Sequence, residues 1–230
     1  MQRSVDVASP RLRRDPEGLT LVAADGHELR ADLTRMLPRL RPDRLARELL
    51  VRAAKIRGTS IKEAPTAVDA TAGLGEDALL LATAGFEVTL VERDPTIFAL
   101  LADALDRAER VDTLAGPVAR MHLVQGDGLQ VLASLPEPPD VVYLDPMFPA
   151  RRKSAAVKKK FQLLHQLEAP CADQEGLLAA ACAAVPRKVV IKRPAKGEPL
   201  AGRRPSYVIR GKSVRYDVIV APLPPDGVPS

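Results

Sequence analysis

The sequence predicts an α/β fold: a mostly parallel sheet with helices on both faces, ending in a C-terminal antiparallel hairpin and preceded by a small N-terminal extension. Three observations carry this. From Thr66 onward short β-rich runs alternate with helical stretches, the trace of strands that reach parallel neighbours through covered crossovers. A glycine turn joins the first of these strands to a helix, in Val68-Asp69-Ala70-Thr71-Ala72-Gly73-Leu74-Gly75. The last two runs, 207–210 and 214–220, are separated by Gly211-Lys212-Ser213, too short for a parallel crossover, so they pair as a hairpin.

In chain order, residues 1–18 are rich in Arg, Pro and Asp and are expected to fray. A small N-terminal region, 19–62, follows. Within it, residues 19–30 suggest a hairpin around Asp25-Gly26, and residues 43–57 suggest a basic amphipathic helix, with Leu45, Leu49, Ala53 and Ile56 on one stripe and Arg44, Arg47, Arg52 and Lys55 on other faces. The main domain, 63–220, holds expected strands at 67–70, 88–92, 121–125, 141–145 and 188–192. Ile97, Leu100, Leu101, Ala104, Leu105 and Ala108 mark one helix, and Leu177, Leu178, Ala181, Cys182 and Val185 another. Residues 221–230 form a Pro-rich tail expected to be flexible.

A chain of 230 residues with 46% hydrophobic content supports one main core, and with no Trp and 3% aromatics that core must be aliphatic. The net charge of +5 is compatible with a polyanionic partner. Cys171 and Cys182 lie apart without a Cys or His at metal-ligand spacing, and His27, His122 and His165 show no such spacing either, so no metal is expected. The absence of an apolar run of about 20 residues argues against membrane insertion, and the expected location is the cytoplasm.

In the glycine turn, Gly73 and Gly75 let the backbone bend sharply and let a ligand approach bare main chain. Glu92 closes the second strand, where a carboxylate can accept from ribose hydroxyls. These features fit NAD as well as S-adenosylmethionine. Asp69, at the end of the first strand, tilts the choice: it would face the ammonium of a methionine moiety and repel a pyrophosphate. Asp127, after the third strand, is placed to accept from an adenine amino group. The competing reading is that Asp69 and Asp127 only cap turns.

After the fourth strand comes Asp145-Pro146-Met147-Phe148-Pro149, at the carboxyl edge where open α/β sheets bind ligands. It is similar to the D-P-P-Y/F signature of enzymes that methylate exocyclic amines of bases. Such an amine is a poor nucleophile because its lone pair is delocalised into the ring, so a site must accept from both N–H groups to aim that pair. The Asp145 carboxylate and the Pro146 carbonyl supply two acceptors, and Phe148 a surface for stacking an extruded base. Directly downstream, Arg151, Arg152, Lys153, Lys158, Lys159 and Lys160 form a basic stretch suited to RNA phosphates, to which Lys192 and Arg193 at the end of the fifth strand would add.

These segments together resemble the family of ribosomal RNA small subunit methyltransferase J, over residues 67–220. The resemblance runs through Val-Asp-Ala-Thr-Ala-Gly-Leu-Gly, Val-Glu-Arg-Asp-Pro, Val-Val-Tyr-Leu-Asp-Pro-Met-Phe-Pro, Lys-Ser-Ala-Ala-Val-Lys-Lys, Val-Val-Ile-Lys-Arg-Pro and Arg-Tyr-Asp. It implies a Rossmann-like class I methyltransferase sheet, guanine-N2 methylation, and small-subunit (16S) rRNA or the 30S subunit as partner. It also implies S-adenosylmethionine contacts at Glu76, Asp77, Glu92, Arg93, Asp127, Gly128 and Asp145. Glu76 stands where family members usually carry a basic residue, Asp127-Gly128 where they carry small polar ones, and the N-terminal region is shorter. Rival readings are methylation of another base amine such as adenine-N6, an NAD-dependent oxidoreductase, disfavoured by the absence of a Tyr-x-x-x-Lys pair, and a non-catalytic RNA-binding module.

Overall fold

The computed structural model describes residues 10–56, 64–146 and 173–220. Its main sheet has seven strands, β4 (Thr66–Asp69), β5 (Glu87–Glu92), β6 (Met121–Gln125), β7 (Val141–Leu144), β8 (Lys188–Pro194), β9 (Tyr207–Arg210) and β10 (Val214–Val220). They lie in the order β6-β5-β4-β7-β8-β10-β9. The first five run parallel, and β10 is antiparallel to both β8 and β9, as the short Gly211–Ser213 connection requires.

The order reverses at β4: the chain runs outward through β5 and β6 on one side, then returns to place β7 on the other. The carboxyl ends of β4 and β7 therefore flank the switch point of the sheet, where an open α/β fold leaves a crevice.

The helices cover both faces. On one side α4 (Glu76–Thr83) and α5 (Pro95–Glu109) pack into a cluster with Val88, Leu90, Val141 and Val190. Ala78 to Ala82 of α4 are all fully buried, which is why this helix shows almost no polar face in the sequence. Helix α5 starts on Asp94, whose carboxylate accepts from the N–H groups of Thr96 and Ile97, with Pro95 at the first helical position. On the opposite face α7 (Gly128–Ala133) and the helix at Gln174–Ala183 cover Val68, Val142, Leu144 and Ile191. The short α6 (Asp112–Val118) buries Leu114 beside α5.

The N-terminal region departs from expectation in two places. Residues expected to fray form strand β1 (Arg11–Asp15), which pairs with β2 (Gly18–Val22), and β2 in turn pairs with β3 (Glu28–Leu29) in the anticipated hairpin. Strand β1 is exposed along most of its length, so it leaves no apolar alternation to read; its ladder and the Arg13 pairs with Asp15 and Glu28 hold it. The single helix expected at 43–57 is broken. The chain makes α1 (Leu37–Leu40), α2 (Pro42–Leu45) and α3 (Leu49–Ala54), with Glu48 extended between the last two and clamped by Arg39 through bonds of 2.8 and 2.7 Å. Val185, expected on a helix stripe, lies beyond the helix with a positive φ and is 63% exposed. The expectations for residues 1–9 and 221–230 lie outside the described residues.

Candidate active site at the carboxyl edge of the sheet

Two turns meet at the switch point, and hydrogen bonds tie them together. The N–H of Ala70, leaving β4, donates to the carbonyl of Tyr143 on β7 at 3.1 Å. The N–H of Asp145, leaving β7, donates to Thr71 Oγ1 at 2.7 Å. The glycine turn and the Asp-Pro turn thus stand side by side.

The glycine turn is built for a ligand. Gly73 and Gly75 both have positive φ, +54° and +76°, a conformation that L side chains rarely adopt. A Cβ on Gly73 would meet nothing within 4 Å, so the main chain there opens onto space that a ligand can enter; a Cβ on Gly75 would collide with Leu101 instead. Glu92, 6% exposed, accepts from the N–H of Gly73 at 3.0 Å and of Asp94 at 2.7 Å. Burial raises its pKa, and those two donors oppose the rise. Each carboxylate oxygen keeps a second acceptor site, so Glu92 fits a ribose diol while fixing the turn.

Asp127 caps α7 by accepting from the N–H of Leu129, yet its side chain remains 39% exposed, and Arg93 stands 3.9 Å away. A Cβ on Gly128 would lie 2.4 Å from the carbonyl oxygen of Ala70, so glycine there lets α7 approach the β4 turn. The groups expected to hold a nucleoside cofactor converge, and open main chain with carboxylate acceptors fits S-adenosylmethionine.

Asp69 is different. It is 1% exposed and accepts from the N–H of Thr71 at 3.1 Å, so it is a buried turn cap beneath the crevice and no open contact for an ammonium. Burial pushes its pKa up to about 8, only partly opposed by the Thr71 N–H.

Asp145 also carries a correction to its surroundings. Its carboxylate lies 2.9 Å from Lys192 Nζ, which also contacts Asp77 at 2.6 Å, and the same Asp77 oxygen accepts from the Tyr143 hydroxyl at 2.6 Å. Lys192, expected to meet RNA phosphates, is therefore committed to two carboxylates, with its side chain 26% exposed. Arg193 is 6% exposed, and its Nε donates to the carbonyl of Glu198, so burial removes it from any phosphate surface. Asp77 faces this network, while Glu76 opens α4 half-buried.

Despite its ion pair, the Asp145 side chain keeps 31% exposure, leaving one side open to a ligand, and Pro146 beside it is buried. Burial raises the Asp145 pKa and Asp77 adds to that, while Lys192 opposes both. Burial also works against ionised Asp77, but Lys192, the Tyr143 hydroxyl and Arg39 together outweigh it and hold that carboxyl below the usual range. Phe148, Arg151, Arg152, Lys153, Lys158, Lys159 and Lys160 lie outside the described residues. Among the described residues no group of His, Cys, Asp and Glu could hold a metal, and no helix is long and apolar enough to cross a membrane.

Sequence reasoning missed Thr71 and Tyr143 and misplaced Lys192. The signal for the last was present. Leu144 pairs with Ile191 in the parallel β7–β8 ladder, so the next step of that register sets Asp145 beside Lys192.

Residues 6–221 match the family model described as "Putative SAM-dependent methyltransferase". The chain is 52% identical over 178 residues to Ribosomal RNA small subunit methyltransferase J of Thioalkalivibrio sulfidiphilus, a match spanning 76% of this chain and 69% of that protein. It is 48% identical over 167 residues to the protein of the same name from Pseudomonas fluorescens, spanning 72% and 64%. The chain thus spans about two thirds of the length of these relatives. Among solved structures, a SAM-dependent methyltransferase from Neisseria gonorrhoeae superposes with a TM-score of 0.76 at 30% identity, covering 96% of this chain and 86% of that one. The chain belongs to the SAM-dependent methyltransferase family that includes ribosomal RNA small subunit methyltransferase J, and its cofactor is S-adenosylmethionine.

Proposed function

We propose that this chain methylates the exocyclic N2 of a guanosine in small-subunit rRNA. The observation that carries the reading is the junction of the two turns: Asp145 and Pro146 stand beside the glycine turn, tied to it by the Thr71 hydroxyl. When bound, S-adenosylmethionine supplies an electrophilic methyl on a sulfonium. The protein's part is to orient the acceptor. The Asp145 carboxylate and the Pro146 carbonyl accept the two N–H groups of the amine, which localises the nitrogen lone pair and aims it. Negative charge on Asp145 stabilises the positive charge that grows on nitrogen during transfer. The proton then leaves to that carboxylate or to water.

The relatives' names support small-subunit rRNA as the substrate class. With Lys192 and Arg193 occupied within the fold, phosphate contact falls to Arg151, Arg152, Lys153, Lys158, Lys159 and Lys160. The family resemblance supports guanine-N2, and the acceptor pair itself serves any base amine.

Nucleoside mass analysis of 30S subunits from a strain lacking the enzyme, treated with protein and S-adenosylmethionine, tests this. The expected product is N2-methylguanosine, and Asp145→Asn should lower its rate by roughly 10²-fold or more. Methyl on adenine-N6 would reassign the base. A folded Asp145→Asn protein with undiminished transfer would refute the residue assignment.

A further inference from the structure

Lys192 is a side chain that the methyltransfer scheme above leaves without a task. It comes from β8, lies in the next register step from Asp145, and bridges to Asp77 on α4. Asp77 is itself held, because the Tyr143 hydroxyl donates to the oxygen that Lys192 contacts. Tyr216 pairs with Lys192 across the β8–β10 ladder, and its ring lies 6.5 Å from that of Tyr143. The result is a chain of contacts, Tyr143 to Asp77 to Lys192 to Asp145, ending at the carboxylate that receives the amine.

We propose that Lys192 is a positioning residue for methyl transfer: its ammonium, anchored by Asp77, keeps the Asp145 carboxylate charged and aimed at the incoming amine. This rests on the reading of Asp145 given above. Two restraints fix Asp145 from opposite ends, Thr71 at its N–H and Lys192 at Oδ2. With Oδ2 held, Oδ1 is the oxygen left to accept from substrate. Asp69, Asp77, Asp145 and the Tyr216 hydroxyl interact electrostatically with Lys192, the Tyr143 hydroxyl acts on Asp77 and Asp145, and Arg39 acts on Asp77 and Tyr216. Among the described residues Lys192 is the cation in direct contact with Asp145. A phosphate-binding role asks for the reverse, a cation with its charge turned to solvent.

The two partners act on Asp145 with opposite sign. Lys192 favours its ionised form and Asp77 disfavours it. Single-turnover methylation of 30S subunits lacking the modification, at saturating S-adenosylmethionine and across pH, reads this directly. Lys192→Met should move the acid limb of the rate profile up by about one pH unit or more, with recovery at high pH. Asp77→Asn should move the limb down while lowering the plateau, because the lysine loses its anchor. Lys192→Arg, which keeps the charge, should leave the limb in place.

Calorimetric affinity for S-adenosylmethionine and a melting curve establish that each variant is folded; if Lys192→Met does not fold, the Asp77→Asn and Lys192→Arg limbs decide. An unmoved limb in the folded Lys192→Met and Asp77→Asn proteins overturns the proposal, as do shifts of the same sign. So does a lysine variant whose only defect is a weaker, less salt-dependent affinity for the subunit. Asp145→Asn is measured alongside: if it transfers methyl at the wild-type rate, the Asp145 reading has failed; if it is inactive while the limbs stay put, only the role of Lys192 has failed.

Discussion

Asp69 shows how a single buried carboxyl can make stability depend on pH. Folded, it holds its proton up to a pH of about 8, whereas its ordinary value is 3.8. Between those values the unfolded chain has released a proton that the folded one retains, so folding stability falls as pH rises through that window and levels off above it. Asn cannot ionise but can still accept from the Thr71 N–H. Asp69→Asn should therefore be more stable than the wild type at pH 8, by roughly 5 kcal/mol, and the gap should shrink towards pH 4. Thermal melts at the two pH values check this. Position was legible where a motif carries it: Gly73, Glu92 and Asp145 all come to the carboxyl edge of the sheet, and Gly75 turns the chain into α4. Asp69 and Lys192 were misread because an isolated charge in a sequence carries no sign of its depth. The strand register sets Lys192 beside Asp145, and the packing of α4 adds Asp77.

Among elements, the parallel strands were the most legible, since β4, β5, β7 and β8 are largely apolar runs bounded by turns and mostly buried, while β6, at the sheet edge, buries only Met121 fully. Their observed limits differ from the expected ones by two residues at most, the largest difference being β8, which continues to Pro194. The helix expected at 43–57 failed for a tertiary reason: the bidentate Arg39–Glu48 pair holds Glu48 extended, and no periodicity records a contact nine residues away. Helix α7 illustrates what packing asks of one position. Its first residue, Gly128, sits where a Cβ would press on the Ala70 carbonyl at 2.4 Å, a backbone atom that cannot rotate aside. Gly128→Ala should cost roughly 1–3 kcal/mol in urea unfolding and weaken S-adenosylmethionine binding, because α7 carries Asp127 and must retreat from the β4 turn.

For the molecule as a whole, the N-terminal sheet is fastened to the main domain through Asp103 on α5. That carboxylate, 8% exposed, accepts from the N–H of Leu19, from Arg14 at 3.0 Å and from Arg107 at 2.8 Å, and Arg107 also donates to the carbonyl of Ala31. Gly18 has a φ of +126°, and a Cβ there would strike Arg107 and Asp103, so the approach is close enough to require glycine. Asp103→Ala leaves these donors unpaired and should destabilise by about 2–4 kcal/mol, with the N-terminal sheet detaching before the main sheet unfolds. Hydrogen exchange should show early loss of protection at Leu19 to Val22, while a single concerted transition would argue against such a fastening. The hydrogen bond from Asp145 to Thr71 has a different reach. One hydroxyl braces the glycine turn and the Asp-Pro turn at once, so neither can shift without disturbing the other.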